Sequence, residues 1–190
     1  MVDRSAVGRR SKRKGKTYER RCASLLTEFT GVNFRSTPAS GGFNKQGVTI
    51  RQELFCGDVI CDRKDFLFCV EAKNRLSFSF ESILKNPDTS PFTSWWYQCL
   101  DDAKSTKMLP ILFFKPDNAA DFVALTEDGI KQIEAENLPH FVIKYNSKLT
   151  VKHYDELIKD VELPIPYIYN WKDISKLNKE KFFYDLCVVL

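Results

Sequence analysis

The chain has 190 residues, of which 43% are hydrophobic and 13% aromatic, and its formal net charge is +4. This length supports one packed domain, and this composition excludes an intrinsically disordered chain. No stretch approaches the roughly 20 apolar residues of a membrane-spanning helix, and the charged N-terminus lacks the apolar region of a secretory signal. We therefore expect a cytoplasmic protein, located in the host cytoplasm if it is viral, with no membrane partner.

Six cysteines are present, and their spacing contains no pair of the kind that binds zinc. Several lie in apolar runs, such as residues 66–70. We interpret them as reduced core thiols of an intracellular protein. The six are Cys22, Cys56, Cys61, Cys69, Cys99 and Cys187.

Positive charge is concentrated at the N-terminus. Residues 1–21 hold nine Lys and Arg and two acids, a balance of +7, whereas the remainder has a balance of −3. A basic segment on a mildly acidic body is typical of an arm that binds a polyanion, although a solubilising tail has the same composition. Residues 1–15 lack hydrophobic periodicity and are predicted to form a flexible arm, followed by a single domain at 16–190.

Hydrophobic spacing predicts a helix from Thr17 that stops at Gly31. A short strand at 32–35 then leads into a turn-rich loop that continues to about residue 52. Two strands are predicted next, the first at 58–61.

A polar hairpin turn at 62–65 joins that strand to the second, at 66–73. The second strand is apolar on both faces, so we expect it to be central in its sheet. A helix at 94–104 and a buried strand at 109–114 follow.

Residues 121–125 indicate another strand, and Thr126 is a plausible N-cap for a helix that reaches about Asn137. The final 50 residues alternate short apolar and charged runs and are uninformative. The order of elements predicts an α/β fold with a small mixed β-sheet flanked by helices.

Chemistry is concentrated at Asp58, Glu71 and Lys73. Residues i and i+2 of a strand share a face, so Glu71 and Lys73 lie together, with Asp58 on the neighbouring strand. Charged groups inside an apolar sheet require partners, and Mg²⁺ is a suitable partner for the two carboxylates. Lys73 would orient or deprotonate an attacking water, or neutralise the transition state. An exposed Glu71–Lys73 salt bridge is the structural alternative.

These residues resemble the motif of the PD-(D/E)-x-K nuclease superfamily: Gly57-Asp58, a hairpin, and then Glu71-Ala72-Lys73, with Gly in place of the usual Pro. Glu19 in the first helix matches the metal-site glutamate of that superfamily. Residues 34–42 resemble the strand and serine loop of archaeal-type Holliday junction resolvases, and Gln98 lies where their glutamine-bearing helix follows.

The resemblance implies a restriction-endonuclease-like core at about 16–116, with a C-terminal extension at about 117–190. It implies a Mg²⁺- or Mn²⁺-dependent endonuclease that acts on branched DNA as a homodimer. The metal ligands would be Glu19, Asp58 and Glu71, and the catalytic residues would be these three with Lys73 and Ser40. The predicted DNA contacts are Arg35, Ser40, Arg9, Arg10, Lys12, Arg13, Lys14 and Lys16.

Other interpretations remain open at this point. The chain could be a restriction- or repair-type endonuclease acting on linear duplex DNA, a non-catalytic DNA-binding module, or an RNA-binding protein with a basic arm. Glu19 and Gln98 could be surface helix residues, and Ser40 a turn residue. Trp95 and Trp96 could stack on unpaired bases, although core packing is more common for adjacent helical aromatics.

Overall fold

The computed structural model of the chain describes residues 4–37, 56–75, 78–145, 148–153 and 156–184, without the side chains of residues 4–12 and 152. Ser40, with the rest of the predicted loop up to residue 52, lies outside the described residues. The described elements are α1 (Arg4–Thr30), β1 (Phe34–Ser36), β2 (Val59–Cys61), β3 (Phe68–Lys73), α2 (Phe80–Lys85), α3 (Pro91–Thr106), β4 (Leu109–Phe114), β5 (Phe122–Leu125), α4 (Glu127–Gln132), β6 (His140–Val142), β7 (Leu149–His153), β8 (Glu156–Val161), β9 (Tyr167–Asn170) and α5 (Trp171–Ile174). Short 3₁₀ helices lie at Pro87–Thr89 and Lys179–Phe182.

The main sheet has five strands in the order β3-β4-β5-β9-β6. β3 and β4 are parallel, whereas the other pairs are antiparallel. Two smaller ladders, β1-β2 and β7-β8, accompany it. The predicted α/β fold with a small mixed sheet is therefore confirmed.

Helices cover both faces of the main sheet. On one face, α1 packs Tyr18, Cys22 and Leu26 against β3 and β4. On the other face, α3 packs Trp96 and Cys99 against β4. Successive strand residues point to opposite faces, so this double cover explains why β3 and β4 are almost continuously apolar. Core packing is confirmed for Trp96, which is fully buried.

The first helix begins earlier than its hydrophobic spacing predicts. α1 starts at Arg4 rather than Thr17, so residues 4–15 of the segment expected to be a flexible arm are helical. Arg, Lys and Ala are strong helix formers, and the packed half of α1 provides the nucleus from which they extend the helix. Its end is as predicted, since Gly31 has a φ of 75°. Neither α1 nor another helix in the described ranges is long and apolar enough to cross a membrane.

The prediction that β2 and β3 pair as a hairpin is wrong. β2 forms its antiparallel ladder with β1. In the turn after β2, the carboxylate of Asp62 accepts hydrogen bonds from Asn33 at 2.7 Å and from Arg35 at 2.6 Å. These contacts lie at the end of the β1–β2 ladder. Gly57, just before β2, bridges Val70 of β3 in the parallel sense, which is incompatible with an antiparallel hairpin.

The prediction that β3 is central is also wrong, because β3 is an end strand of the five. Its apolar residues are buried by helices on both faces rather than by strands on both edges. The outer edge of β3 is covered by Gly57, which forms a parallel bridge to Val70, and Phe66 just before β3 bridges to Phe183. The segment that leads into β2 therefore lies directly against β3.

The residues after 116 contribute to the same sheet and hydrophobic core as those before them. β5, β9 and β6 complete the sheet, because β4 is buried and its outer backbone groups need hydrogen-bond partners. Phe182 is fully buried, and its ring lies 5.3 Å from that of Phe29 and 5.2 Å from that of Phe68. The C-terminal third thus closes the space between α1 and β3.

A disulfide joins Cys56 to Cys69, whose Cα atoms are 5.3 Å apart. This corrects the prediction that the cysteines are all reduced. Among the described residues, Cys22, Cys61 and Cys99 are free thiols. Only the close approach of the segment before β2 to the edge of β3 brings the bonded pair together.

Candidate active site

Asp58 is held by backbone groups from two neighbouring segments. Its N–H donates to the carbonyl of Val70 at 2.7 Å, and its carbonyl accepts from the N–H of Thr37 at 2.9 Å. Its carboxylate Oδ2 accepts from the N–H of Ala72 at 3.0 Å. These contacts fix the largely buried Asp58 side chain beside the part of β3 that carries Glu71.

Gly57 permits this close approach. Its φ of 72° lies in the left-handed region that favours glycine. A Cβ at this position would lie 2.2 Å from the carbonyl oxygen of Val70. Proline, with φ fixed near −65°, cannot adopt this conformation, which explains why the usual proline of the motif is replaced.

Glu71 and Lys73 share a face of β3, as expected. Glu71 is only 1% exposed, and the Nζ of Lys73 contacts its Oε1. The Lys73 side chain is 23% exposed, so it reaches from the buried carboxylate toward solvent. The alternative of an exposed Glu71–Lys73 salt bridge is therefore excluded. Glu71 is buried, and Lys73 neutralises its charge.

Glu19 reaches this region from α1 and is largely buried. The Nζ of Lys16 donates to Oε2 of Glu19 at 2.8 Å and to the carbonyl of Thr37 at 2.6 Å. Thr37 also contacts Asp58, so Lys16 links α1 to the segment that positions Asp58. Lys16, predicted as a DNA contact, lies beside a predicted metal ligand.

The carboxylates are close enough to influence one another. Burial and then the charge of Glu71 raise the pKa of Asp58 from 3.8 to about 7, and Glu19 adds to this rise. Burial also raises the pKa of Glu71, although Lys73 opposes the change. Burial would lower the pKa of Lys73, but Glu71 and Asp58 outweigh it and raise that pKa. Clustered acids with shifted pKa values are typical of a functional site that attracts cations.

Asp102 on α3 is a member of this charged group that the sequence analysis missed. Burial raises the pKa of Asp102 to about 6, opposed first by the charge of Lys73, while Asp58 adds to the rise. Gln98 lies one helical turn earlier, and its side chain lowers the pKa of Asp102. The sequence signal for Asp102 was its position four residues after Gln98 on a predicted helix, which places both side chains on one face.

The donor chemistry of the site fits a hard divalent cation. Within the part of the chain that the structure describes, no three His, Cys, Asp or Glu side chains are gathered closely enough to hold a metal ion. Mg²⁺, however, often takes only one or two carboxylates and completes its shell with waters and substrate phosphates. Glu19, Asp58 and Glu71 offer such oxygens, and Lys16 and Lys73 neutralise part of their charge.

The other predicted DNA contacts lie on α1 and β1. Arg35 forms an ion pair with Asp62 at 2.6 Å and is 59% exposed. The Nζ of Lys14 lies 3.4 Å from Oδ1 of Asp117, and Arg13 is exposed. The remaining three belong to α1 with side chains outside the described set: Arg9, Arg10 and Lys12.

The raised pKa of Asp58 predicts a pH-dependent stability of the metal-free protein. The folded state keeps the Asp58 proton up to about pH 7, whereas the unfolded chain releases it near 3.8. The folded state therefore binds more protons in this window, and the free energy of unfolding should fall as pH rises through it. Denaturant titrations in EDTA between pH 4 and 8 measure this. Asp58→Asn should flatten the fall, and identical profiles for the two proteins would contradict the assignment.

The fold and the site together define a class of protein. A mixed sheet flanked by helices carries Asp58 beside a Glu71-x-Lys73 strand, with Glu19 supplied by the first helix. This is the restriction-endonuclease-like fold with the motif of the PD-(D/E)-x-K nuclease superfamily.

Comparison with known proteins identifies the family. Residues 10–186 match the family described as "Phage putative PDDEXK endonuclease", and the chain belongs to this family. Protein D14 of Escherichia phage T5 is 29% identical over 118 residues, which are 60% of this chain and 70% of that protein. No solved structure matches the chain.

Proposed function

We propose that this endonuclease-family protein is a Mg²⁺- or Mn²⁺-dependent endodeoxyribonuclease that resolves branched DNA, such as Holliday junctions, by paired phosphodiester hydrolysis. The observation that carries the proposal is that the Asp58 carboxylate accepts a hydrogen bond from the backbone of β3 between Glu71 and Lys73, with Glu19 close enough to raise its pKa. Glu19, Asp58 and Glu71 are largely buried and come from three separate segments, and Lys73 contacts Glu71.

The proposed roles follow from side-chain chemistry. Glu19, Asp58 and Glu71 would hold the cation, which would supply Lewis-acid stabilisation of charge on the phosphate. Lys73 extends from Glu71 toward solvent, where its ammonium orients the attacking water and neutralises charge on the scissile phosphate. Ser40 and Arg35 contact neighbouring phosphates in this proposal, as the resemblance to junction resolvases implies.

The proposed partner is a four-way junction bound by two copies of the chain. A junction has two symmetric strands to cut, so a homodimer with twofold symmetry matches it. In this proposal the basic N-terminal part of α1 clamps a duplex limb. This positively charged part belongs to the same helix that carries Glu19.

Cleavage assays on paired substrates test the proposal. A labelled four-way junction and a linear duplex of the same sequence are incubated with the protein and Mg²⁺, Mn²⁺ or EDTA. We expect symmetric nicks in the junction, dependence on the metal, and little cutting of the duplex. Equal cutting of both substrates would indicate a restriction- or repair-type endonuclease, and binding without cutting a non-catalytic module.

Deleting residues 1–15 should weaken junction binding and flatten its salt dependence. The deleted segment carries six basic residues: Arg4, Arg9, Arg10, Lys12, Arg13 and Lys14. Each phosphate contact contributes roughly 0.9 to the slope of log K against log salt, so engagement of half of them predicts a slope lower by about three. Binding measured at four salt concentrations gives the slope.

A control for that deletion removes two lysines elsewhere. Lys85 and Lys131 are exposed and pair with Glu81 and Glu127 on α2 and α4. Lys85→Ala with Lys131→Ala should leave the salt slope unchanged. Parallel slopes for the deletion and the full chain would show that the N-terminal segment does not contact DNA.

A further inference from the structure

Each cysteine of the disulfide lies two residues before a proposed metal ligand. Cys56 precedes Asp58 by two residues, and Cys69 precedes Glu71 by two residues on β3. The bond therefore ties together the two chain segments whose carboxylates form the site. Cys69 and Glu71 also share one face of β3, because residues i and i+2 of a strand point the same way.

Between the cysteines and the carboxylates, the two segments are joined at every step. Gly57 bridges Val70, the N–H of Asp58 donates to the carbonyl of Val70, and the N–H of Ala72 donates to the Asp58 carboxylate. Within the described part of the chain, the contact does not continue into β2, which pairs with β1. The disulfide is thus a covalent link at one end of this short contact.

The last turn of α3 packs over the disulfide. Cys56, Cys69 and Ala103 form one buried cluster, with Met108 packed against it. Thr106 Oγ1 lies 3.3 Å from the Sγ of Cys56. This cover shields the sulfur atoms and places them next to the helix that carries Asp102, on the side of the sheet that Glu71 faces.

We infer that Cys56 and Cys69 are positioning residues: their disulfide holds Asp58 against β3 beside Glu71, and its reduction weakens cation binding. The inference rests on the proposed function, since it concerns the same site. Gly57 makes the anchor necessary, because a residue in the left-handed region with no side chain adds conformational freedom next to Asp58.

The redox step is a thiol–disulfide exchange with a small disulfide such as glutathione disulfide. One cysteine thiolate attacks it and releases one glutathione thiolate. The second cysteine thiolate attacks the mixed disulfide, forms the Cys56–Cys69 bond and releases the second glutathione. The protein loses two electrons and two protons, which the two glutathione thiols carry; excess dithiothreitol reverses the exchange.

The experiment compares oxidised and reduced full-length protein. Alkylation followed by mass spectrometry establishes the state of Cys56 and Cys69. Calorimetric titration with Mn²⁺ then measures cation affinity without reference to cleavage. We expect reduction to raise the Mn²⁺ dissociation constant on the order of tenfold, the size of effect seen when groups that support metal ligands are removed. Junction cleavage at saturating Mn²⁺ should change much less.

Two variants separate positioning from a general effect of reductant. Cys56→Ser should bind Mn²⁺ like the reduced wild type in both redox conditions. Cys61→Ser removes a free, half-exposed thiol on β2 and should retain the wild-type response. Should Cys56→Ser fail to fold, the reduced wild type supplies the same comparison without a substitution.

The outcomes distinguish this inference from the proposed function. Equal Mn²⁺ affinity in the two redox states, or free thiols at both positions after oxidation, would overturn the positioning role while metal-dependent cleavage still stands. Failure of both forms to bind Mn²⁺ or to cut any DNA would refute the proposed function and this inference with it.

Discussion

Glu71→Gln is expected to abolish junction cleavage while junction binding stays within a few-fold of wild type. Glu71 is almost completely buried and contacts Lys73, so in the proposed function it binds the cation and does not contact the DNA backbone. The substitution keeps the shape of the side chain but removes the negative charge that both the cation and the Lys73 ammonium need. A loss of at least about 100- to 1000-fold in single-turnover rate is expected, as for removal of one preorganised charge-stabilising group.

The control for Glu71→Gln is Glu127→Gln. Glu127 also pairs with a lysine, Lys131, but on an exposed face of α4 where such pairs contribute little. The Glu127→Gln variant should cleave at the wild-type rate.

Lys73→Ala should behave like Glu71→Gln, with a loss of about 100- to 10,000-fold in the cleavage rate. Near-wild-type cleavage by either variant would remove that residue from the site.

Gly57→Ala should both destabilise the protein and slow cleavage. The new Cβ would lie 2.2 Å from the Val70 carbonyl oxygen at a φ of 72°. Left-handed backbone and overpacking together are expected to cost about 2 to 4 kcal/mol of unfolding free energy, or roughly 10 °C in Tm. Relief of the clash moves Asp58 from β3, and displacement of a reacting group by about 1 Å costs on the order of 100-fold in rate.

Gly15→Ala is the matched control. Gly15 lies inside α1, and nothing lies within 4 Å of where its Cβ would be. Because glycine in a helix interior costs about 1 kcal/mol relative to alanine, this change should raise Tm slightly and leave cleavage unaltered. Thermal melts and single-turnover rates of the two variants give the comparison. Wild-type stability and rate for Gly57→Ala would mean that this turn can relax without moving Asp58.

Elements with a strong local pattern could be predicted from the sequence. The buried strand at 109–114 has the predicted bounds, and the N-cap Thr126 accepts from the N–H of Gly129 as its residue type suggests. The shared face of Glu71 and Lys73 followed from strand alternation alone. In each case, the determining contacts lie within a few residues of one another, where periodicity and capping rules apply.

What could not be predicted depends on contacts between distant segments. The composition of residues 62–65 predicted a β2–β3 hairpin, but β2 pairs with β1, and the segment before β2 runs parallel to β3. The Cys56–Cys69 bond and the place of Asp102 likewise exist only after β3 and α3 have packed. Local sequence carries no information on such pairings.

The burial of Phe182 between α1 and β3 has a consequence for synthesis of the protein. Glu71 leaves the ribosome 111 residues before Phe182 does. At translation rates of roughly 5 to 20 residues per second, that interval lasts roughly 5 to 20 seconds. During this interval, the face of β3 that packs on α1 is not yet covered by the Phe182 ring. The sheet beyond β4 is also incomplete until β5, β6 and β9 have been made. A nascent chain therefore carries the charged residues of the site well before it has the core that holds them in place, and the mature site is assembled only after Phe182 has been made.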